Sequence, residues 1–295
     1  MTIATRDQTE ERPATTARPA RRNVVHEIAR RRLVDVRAEL GELRPQELAA
    51  GVARAPAPRD VRSIFARPGL HLIAELKRSS PSAGIIATAG DDLVARARAY
   101  EAGGAAAISV LCEPHWFSGS VADLRAVADA VAIPVLAKEF VVDRRQLALL
   151  RGAGADLVLL LAVLLPGRRL RAFVAEALDL GLEPLVEAHD ERELEAALAT
   201  DARVIGINNR DLRTLDVDPE RASRLRALVP DDRLAVAESG VRSPATIATW
   251  RANGYDAALV GEALMRAPDP TAAPARSSRR AVRPRTRPTS PVRRA

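Results

Sequence analysis

The sequence predicts an α/β fold, a closed (β/α)8 barrel preceded by an N-terminal helical extension. Eight short apolar segments alternate with segments of helical periodicity between residues 72 and 260. The apolar segments begin about 20–35 residues apart, which is the length of one βα unit. Polar residues follow most of these segments, and no Gly-x-Gly-x-x-Gly follows the first. Both observations favour a closed TIM barrel over an open doubly wound sheet.

The eight apolar segments are interpreted as parallel strands buried on both faces, because their apolar residues show little alternation. Their predicted bounds are 72–77, 105–111, 133–138, 156–162, 183–187, 204–208, 234–238 and 257–260. Helices are predicted between them over 91–101, 121–130, 145–151, 168–180, 191–200, 219–228 and 244–252. This alternation brings the carboxyl ends of all eight strands to one face of the barrel.

Three regions differ in composition. Residues 1–22 are rich in Thr, Arg and Pro and are predicted to be disordered. Residues 23–270 form the predicted barrel domain. Within it, residues 23–68 contribute an amphipathic helix, a second helix starting at Pro45 and a short helical turn. Residues 271–295 form an Arg- and Pro-rich tail that lacks apolar residues for packing, so we expect it to be disordered too.

The basic charge of the chain is concentrated in this tail. The net charge is +7, but the tail holds eight arginines and no acidic residue, so the rest carries about −1. We therefore expect no specific nucleic-acid partner. No apolar run reaches the roughly 18–20 residues of a membrane span, and the N-terminus has no apolar signal core. The single Cys112 excludes an internal disulfide, which favours a cytoplasmic location.

Charged and polar side chains follow the predicted strands. Glu75 and Lys77 are two residues apart at the end of the first strand, so their side chains share one face. The later strand ends contribute Glu113, Trp116, Phe117, Lys138, Glu139, Glu187, Asn208, Arg210, Glu238 and Ser239. In a barrel these positions converge on one rim, where charged neighbours and partial burial tune pKa values for acid–base catalysis.

Two glycine-containing loops predict a phosphate site. Ser239 and Gly240 follow the seventh strand, and Gly261 and Glu262 follow the eighth at the start of a short helix. Backbone N–H groups at such positions bind anions. In this type of barrel, the loops after the seventh and eighth strands are the usual phosphate position.

Neither a metal ion nor a cofactor is predicted. The histidines His26, His71, His115 and His189 are scattered without metal-ligand spacing, and no cofactor-binding motif is present. His189 follows the strand end that carries Glu187, and we expect it only to shape the loop there.

Seven motifs surround the strand ends. They are Ile73-Ala-Glu-Leu-Lys-Arg-Ser-Ser-Pro-Ser82, Ile108-Ser-Val-Leu-Cys-Glu-Pro114, Pro134-Val-Leu-Ala-Lys-Glu-Phe-Val141, Leu185-Val-Glu-Ala-His189, Ile205-Gly-Ile-Asn-Asn-Arg-Asp-Leu212, Glu238-Ser-Gly-Val241 and Leu259-Val-Gly-Glu-Ala-Leu-Met265. In this order and spacing, the chain resembles the indole-3-glycerol phosphate synthase family from about residue 24 to residue 270. The resemblance implies closure of an indole ring from 1-(2-carboxyphenylamino)-1-deoxyribulose 5-phosphate, with release of carbon dioxide and water and without a cofactor.

The resemblance also implies roles for the charged residues. Lys138 would be the general acid that protonates the ketone as the aryl carbon attacks, and Glu187 would serve the dehydration. Glu75 and Lys77 would lie between them, and Lys77 would also contact acidic groups of the substrate. Together with Asn208 and Glu238, these four side chains would form the catalytic set.

The remaining implied roles are in binding and orientation. Asn208 would orient its neighbours by hydrogen bonds, and Glu238 would hold the charged network as part of the catalytic set. Arg210 would help to bind the anionic substrate, while Ser80 and Phe117 would line the pocket. The phosphate would be held by backbone groups of Ser239, Gly240, Gly261 and Glu262.

Three features depart from the family pattern. Glu139 stands where the family usually has Asp, which is expected to alter how Lys138 is held, and Cys112 stands where Thr is common. The chain after residue 270 lacks the amphipathic helix expected to close the barrel.

Two alternatives stay open: another phosphate-binding TIM-barrel enzyme, and a degenerate barrel whose basic tail binds polyanions. For the synthase, we expect a small phosphorylated substrate and a monomer or weak homo-oligomer.

Overall fold

A closed ring of eight parallel strands forms the centre of the protein. The computed structural model describes residues 23–41, 43–87, 91–241 and 243–272, so the predicted disorder of 1–22 and 273–295 lies outside the described residues. The strands are β1 His71–Leu76, β2 Ser79–Ser80, β3 Gly84–Ile85, β4 Ala107–Leu111, β5 Val135–Lys138, β6 Leu157–Leu161, β7 Glu183–Ala188, β8 Val204–Asn208, β9 Leu234–Glu238 and β10 Ala257–Val260. The ring order is β1-β10-β9-β8-β7-β6-β5-β4, and β4 pairs with β1 again. The predicted (β/α)8 barrel is therefore confirmed.

Helices precede the barrel and follow its strands. They are α1 Val24–Gly41, α2 Pro45–Arg54, α3 Val61–Phe65, α4 Leu93–Ala102, α5 Val121–Ala130, α6 Arg145–Gly152, α7 Arg168–Asp179, α8 Glu191–Leu198, α9 Arg221–Arg226, α10 Pro244–Ala252 and α11 Glu262–Met265. The first three form the predicted N-terminal extension. Among the described helices, none has both the length and the apolar character required to cross a membrane.

Two apolar layers hold the barrel together. The outer layer packs alternate strand residues such as Ala74 and Val110 against the surrounding helices. The inner layer fills the barrel with the other strand residues, among them Ile73 and Leu157. Because side chains alternate along a strand, every strand contributes to both layers, which explains the nearly uninterrupted apolar segments in the sequence.

Helix α1 lies across the carboxyl end of the barrel. Its first residues, Val24 and Val25, donate backbone hydrogen bonds of 3.4 and 3.2 Å to the carbonyl oxygens of Arg213 and Leu212, in the loop after β8. Val25 is buried in the same layer as the barrel interior. The N-terminal extension therefore closes part of the face on which the strand ends meet.

The seam between the first and last strands of the ring is paired. Residues 71–74 of β1 lie in register with residues 257–260 of β10. Leu264 and Met265 of α11 are buried, and the Tyr100 hydroxyl donates to the Met265 sulfur at 3.5 Å. The segment in which a final closing helix was sought lies largely outside the described residues, which end at Ala272.

One element has no counterpart among the strands predicted from the sequence. In the serine-rich segment after β1, β2 and β3 pair as a two-stranded antiparallel hairpin. Gly84 adopts φ 64°, a left-handed conformation that glycine accepts without a steric penalty. The hairpin is too short to produce a periodic apolar pattern, so periodicity could not reveal it.

Candidate active site

A cavity of about 410 Å³ opens at the carboxyl end of the barrel. All thirteen site residues proposed from the sequence line it: Glu75, Lys77, Ser80, Phe117, Lys138, Glu187, Asn208, Arg210, Glu238, Ser239, Gly240, Gly261 and Glu262. They lie at the carboxyl ends of barrel strands from β1 to β10 and in the segments that follow these strands. The structure thus brings these residues together, while their individual roles stay predictions.

The Glu75–Lys77 pair lies at the end of β1. Lys77 Nζ is 2.8 Å from Glu75 Oε1, and both side chains are largely buried. A Cβ atom at Gly261 would lie 2.2 Å from the same oxygen and 2.9 Å from Lys77 Nζ. Only glycine at that position leaves space for the pair, which therefore directly adjoins the loop between β10 and α11.

Lys138 at the end of β5 lies between two carboxyl groups. Its Nζ atom is 3.0 Å from Glu187 Oε2 and 2.5 Å from Glu238 Oε2, and both glutamates are 1 % exposed. Burial opposes the charge of the lysine, but the two neighbouring carboxyl groups outweigh it and raise the Lys138 pKa above its usual range. The lysine therefore carries its proton at neutral pH.

The two carboxyl groups differ in protonation. Burial and the neighbouring Glu187 raise the pKa of Glu238 to about 8. Burial would also raise the pKa of Glu187, but Lys138 and His189 hold it well below the usual range. The directions of these two shifts favour Glu187 as the ionised partner and Glu238 as the protonated partner of the pair.

Space for the Glu238 carboxyl group comes from the neighbouring strand. A Cβ atom at Gly206 of β8 would lie 2.3 Å from Glu238 Oε1. That oxygen is buried without a hydrogen-bond partner among the described residues. Gly206 was not singled out in the sequence, because nothing in the local pattern shows what faces a glycine across the barrel.

Asn208 links the strand ends of β7 and β8. Its Nδ2 atom donates to Glu187 Oε1 at 2.9 Å, and its Oδ1 atom accepts from the backbone N–H of Arg210 at 2.9 Å. The amide is 5 % exposed and makes hydrogen bonds at both ends, so its orientation is determined. Arg210 Nη1 donates to the Leu215 carbonyl oxygen at 2.9 Å, which turns its guanidinium toward the loop after β8.

The loop after β9 has an unusual backbone. Ser239 and Gly240 have φ values of 63° and 86°, and a left-handed conformation is uncommon for serine. Successive turns of this kind direct backbone N–H groups to one side and form anion-binding concavities. This loop and Gly261, which precedes α11, both line the cavity, as the predicted phosphate site requires.

Apolar side chains form a large part of the cavity lining. Phe117 lies 6.0 Å, centroid to centroid, from Phe140. The apolar lining continues through Val24, Val25 and Ile28 of α1 and through Leu111, Leu159, Leu161, Leu212 and Leu215. The sequence identified Phe117 but not the α1 residues. Their helical spacing marks an apolar stripe, yet it does not show that the stripe meets the strand ends.

Helix α1 is tied to the strand that carries Lys138. Arg32 Nε is 3.1 Å from Glu139 Oε2, and its two terminal nitrogens bond both oxygens of Glu39 at 2.9 and 3.1 Å. Burial raises the pKa of Glu139 to about 7, although Arg32 partly counteracts this. The unusual glutamate after Lys138 therefore contacts the N-terminal helix and its own following backbone N–H.

Across the described ranges, no group of three or more His, Cys, Asp or Glu side chains is arranged to hold a metal ion. The acid–base residues of the cavity are instead paired with lysines, an asparagine amide and His189.

Comparison with known proteins agrees with the motifs and the fold. The family model for indole-3-glycerol phosphate synthase matches residues 25–276. The synthase of that name from Nocardioides sp. is 49 % identical over 227 residues, covering 77 % of this chain and 87 % of the relative. The Parafrankia sp. synthase is 46 % identical over 252 residues, covering 84 % and 92 %. A solved structure described as "Native KDPGal structure" has a TM-score of 0.51 and 23 % identity over 72 % of this chain and 93 % of its own, which shows a shared fold only. On its sequence and its barrel, the chain belongs to the indole-3-glycerol phosphate synthase family.

Proposed function

We propose that the chain converts 1-(2-carboxyphenylamino)-1-deoxyribulose 5-phosphate to indole-3-glycerol phosphate, as a carboxy-lyase that needs no cofactor. The observation that carries this proposal is the position of Lys138. Its ammonium group, paired with Glu187 and Glu238, lies in a cavity that is lined both by apolar side chains and by the loops after β9 and β10.

The shape of the cavity suggests how the substrate binds. The aromatic ring suits the apolar wall of Phe117 and α1, and the phosphate suits the backbone N–H groups of residues 239–240 and 261–262. Lys77 and Arg210 supply positive charge for the carboxylate and the phosphate. The ketone between them then lies near Lys138, where the new carbon–carbon bond forms.

The reaction needs a proton at the ketone oxygen. As the ring carbon bearing the carboxylate attacks the ketone carbon, the electron pair of the C=O bond moves to oxygen, and Lys138 donates the proton there. Loss of carbon dioxide returns its bonding electrons to the ring and restores aromaticity. The C–O bond of the new hydroxyl group then breaks as that group takes a proton from solvent and leaves as water. Glu187 accepts the proton lost from the adjacent ring CH2 group as the C=C bond of the indole ring forms.

An activity assay tests the proposal directly. Purified full-length protein is mixed with the carboxyphenylamino-deoxyribulose phosphate, and product is followed by indole fluorescence and confirmed by mass. We expect stoichiometric release of carbon dioxide. Absence of product from a protein shown to be folded by circular dichroism would contradict the proposal and favour a degenerate barrel.

We also propose a cytoplasmic location and a monomeric or weakly associating state. Cys112 is the only cysteine of the chain and is buried, which suits a reducing compartment. Light scattering coupled to size-exclusion chromatography tests the association state, and a concentration-independent dimer or larger assembly would contradict it.

A further inference from the structure

His189 is a buried ionisable residue that the proposed reaction does not use. It follows β7 and is 3 % exposed, and it is not among the residues that line the active-site cavity. Its Nδ1 atom is 2.8 Å from Glu193 Oε2 on α8. Its Nε2 atom is 3.1 Å from Glu187 Oε1, within ion-pair distance but outside hydrogen-bonding geometry. The imidazole thus lies between one carboxylate of the site and one carboxylate behind it.

Hydrogen bonds with Glu193 hold the His189 ring on its Nδ1 side. Glu193 Oε2 also accepts the backbone N–H of His189 at 2.8 Å, so one carboxylate oxygen holds both the backbone and the ring. Glu193 itself lies in the first turn of α8, where its backbone N–H donates to Asp190 Oδ1 at 2.9 Å. A neutral imidazole can donate through only one nitrogen, whereas an imidazolium can face a carboxylate with each. The geometry therefore fits the charged ring.

The ionisable groups on the surrounding elements balance this charge. Those that face His189 or its carboxylate partner are Glu187 on β7, Glu193 on α8, Lys138 on β5 and Glu238 on β9. Arg213, which follows β8, lies farther out, with its Nη2 atom 3.9 Å from Asp190 Oδ2. In this cluster the two cations Lys138 and His189 face three carboxyl groups, those of Glu187, Glu193 and Glu238, so one carboxyl group is in excess.

We propose that His189 is a positioning residue for the reaction: as an imidazolium between Glu193 and Glu187, it keeps Glu187 ionised and leaves the shared proton on Glu238. This inference rests on the proposed function for its catalytic meaning, but the protonation states are properties of the resting protein. An ionised Glu187 is the form that can accept a proton during dehydration. A neutral Glu238 lets Lys138 lie between the two carboxyl groups without a second buried negative charge.

The direction of the pKa shifts agrees with this arrangement. Burial disfavours the charged ring, but Glu187 and Glu193 outweigh burial and raise the pKa of His189 to about 9. His189 is in turn one of the causes that lower the pKa of Glu187, after Lys138.

The protonation state is tested without turnover. In full-length protein labelled with 15N-histidine, long-range 1H–15N spectra report the charge of each of the four imidazoles. His189→Gln assigns the His189 signals by their disappearance. We expect imidazolium shifts at pH 7 and a midpoint above pH 8. A neutral His189 at pH 7 overturns the proposal whether or not the protein turns over substrate, whereas inactive wild-type protein contradicts only the proposed function.

The effect on Glu187 is tested by the pH profile of kcat/KM. His189→Gln keeps hydrogen-bonding groups but loses the charge, and His189→Leu loses both. We expect the acid limb to move to higher pH by about one unit in both variants, because a cation beside a carboxylate lowers its pKa by roughly 1–3 units. KM should change less than about threefold, since His189 does not line the cavity.

His71→Gln provides the matched control. His71 is a partly exposed histidine at the amino end of β1, at the opposite end of the barrel. We expect a wild-type profile for this variant. If His189→Gln also shows the wild-type acid limb, a hydrogen bond rather than the charge is sufficient, and the proposal is wrong.

Discussion

Lysine is rare in this chain, and its two occurrences are informative. The chain has 45 Lys and Arg residues, of which only Lys77 and Lys138 are lysines, and both lie in the cavity. The others are all arginines. An arginine cannot give up its proton in a protein, whereas an ammonium group can do so when its surroundings change. The use of lysine at these two positions therefore supports proton transfer there.

Residues with a recognisable chemical type could be predicted from the sequence. Lys138, Glu187 and Glu238 are charged residues at the ends of apolar segments, and the fold requires such ends to meet. The importance of Gly206 and His189 comes from the side chains they contact in the folded barrel, the Glu238 carboxyl group for Gly206 and the Glu187 and Glu193 carboxyl groups for His189. Their roles therefore could not be predicted from the residues next to them in the sequence.

Gly206 provides a prediction at this scale. Gly206→Ala should lower kcat by about a hundredfold, because the new methyl group must displace the Glu238 carboxyl group, and small misplacements of catalytic groups are costly. Steady-state kinetics with indole fluorescence measures this. Gly41→Ala is the control, since a Cβ atom there meets nothing within 4 Å. Equal kcat values for the two variants would show that the close approach to Glu238 is unimportant.

At the scale of elements, α1 lines the active-site cavity and is also attached to the barrel by an ion pair. Its helical pattern could be read from the sequence, as could its start near Val24. Its docking could not, because the Arg32–Glu139 ion pair joins residues 107 positions apart. The hairpin of β2 and β3 could not be predicted for the same reason, because it is stabilised by contacts with the segment after β4. The Ser79 backbone N–H donates to the Phe117 carbonyl oxygen at 3.3 Å, and the Ser79 hydroxyl group donates to the Trp116 carbonyl oxygen at 2.9 Å.

Breaking the α1 anchor should weaken both stability and substrate binding. Arg32→Met leaves the Glu139 carboxyl group buried without its cation, and we expect a loss of about 3 kcal/mol in the free energy of unfolding. KM should rise as well, because Val25 and Ile28 of the same helix line the cavity. Urea unfolding and steady-state kinetics provide the two measurements.

Arg31→Met is the matched control for this helix. The Arg31 side chain is 55 % exposed and pairs with Asp35 on the surface, so its loss should cost under about 1 kcal/mol and leave KM unchanged. If the two variants lose similar stability, the buried pair is not what holds α1 to the barrel.

At the scale of the whole molecule, the fold follows closely from the sequence. Each strand is buried on both faces, so its apolar run is long enough to recognise, and the βα spacing leaves few arrangements other than a closed barrel. The pairing of β1 with β10 shows that the ring closes within the described residues. What composition and periodicity do not show is the ionisation of the site, because it depends on the mutual burial of charges from several strands.

Buried protons make the stability of the molecule depend on pH. The folded pKa values of about 9 for His189, 8 for Glu238 and 7 for Glu139 all exceed the ordinary values of 6.5 and 4.5. Above pH 4.5 the folded state therefore binds more protons at these groups than the unfolded state does. Their stabilising contribution is complete below the unfolded pKa values and is lost as the pH rises through the folded ones.

We therefore expect the free energy of unfolding to fall between pH 6 and pH 9. The slope should be about 1.4 kcal/mol per pH unit for each proton that the folded state retains. Urea titrations at half-unit pH intervals measure it, and Glu238→Gln should flatten the curve by removing one of the three groups. A stability that is constant or rises over this range would contradict the assigned protonation states.

The central claim is that Lys138 donates the proton during ring closure. The most direct measurement compares turnover and substrate affinity of the wild type with those of Lys138→Met and Lys138→Arg. We predict that both variants lose at least about a hundredfold in kcat while the substrate Kd changes less than about tenfold, because neither side chain can donate the proton. Near-normal turnover of Lys138→Arg would contradict the claim, since it would show that a positive charge between Glu187 and Glu238 suffices without proton transfer.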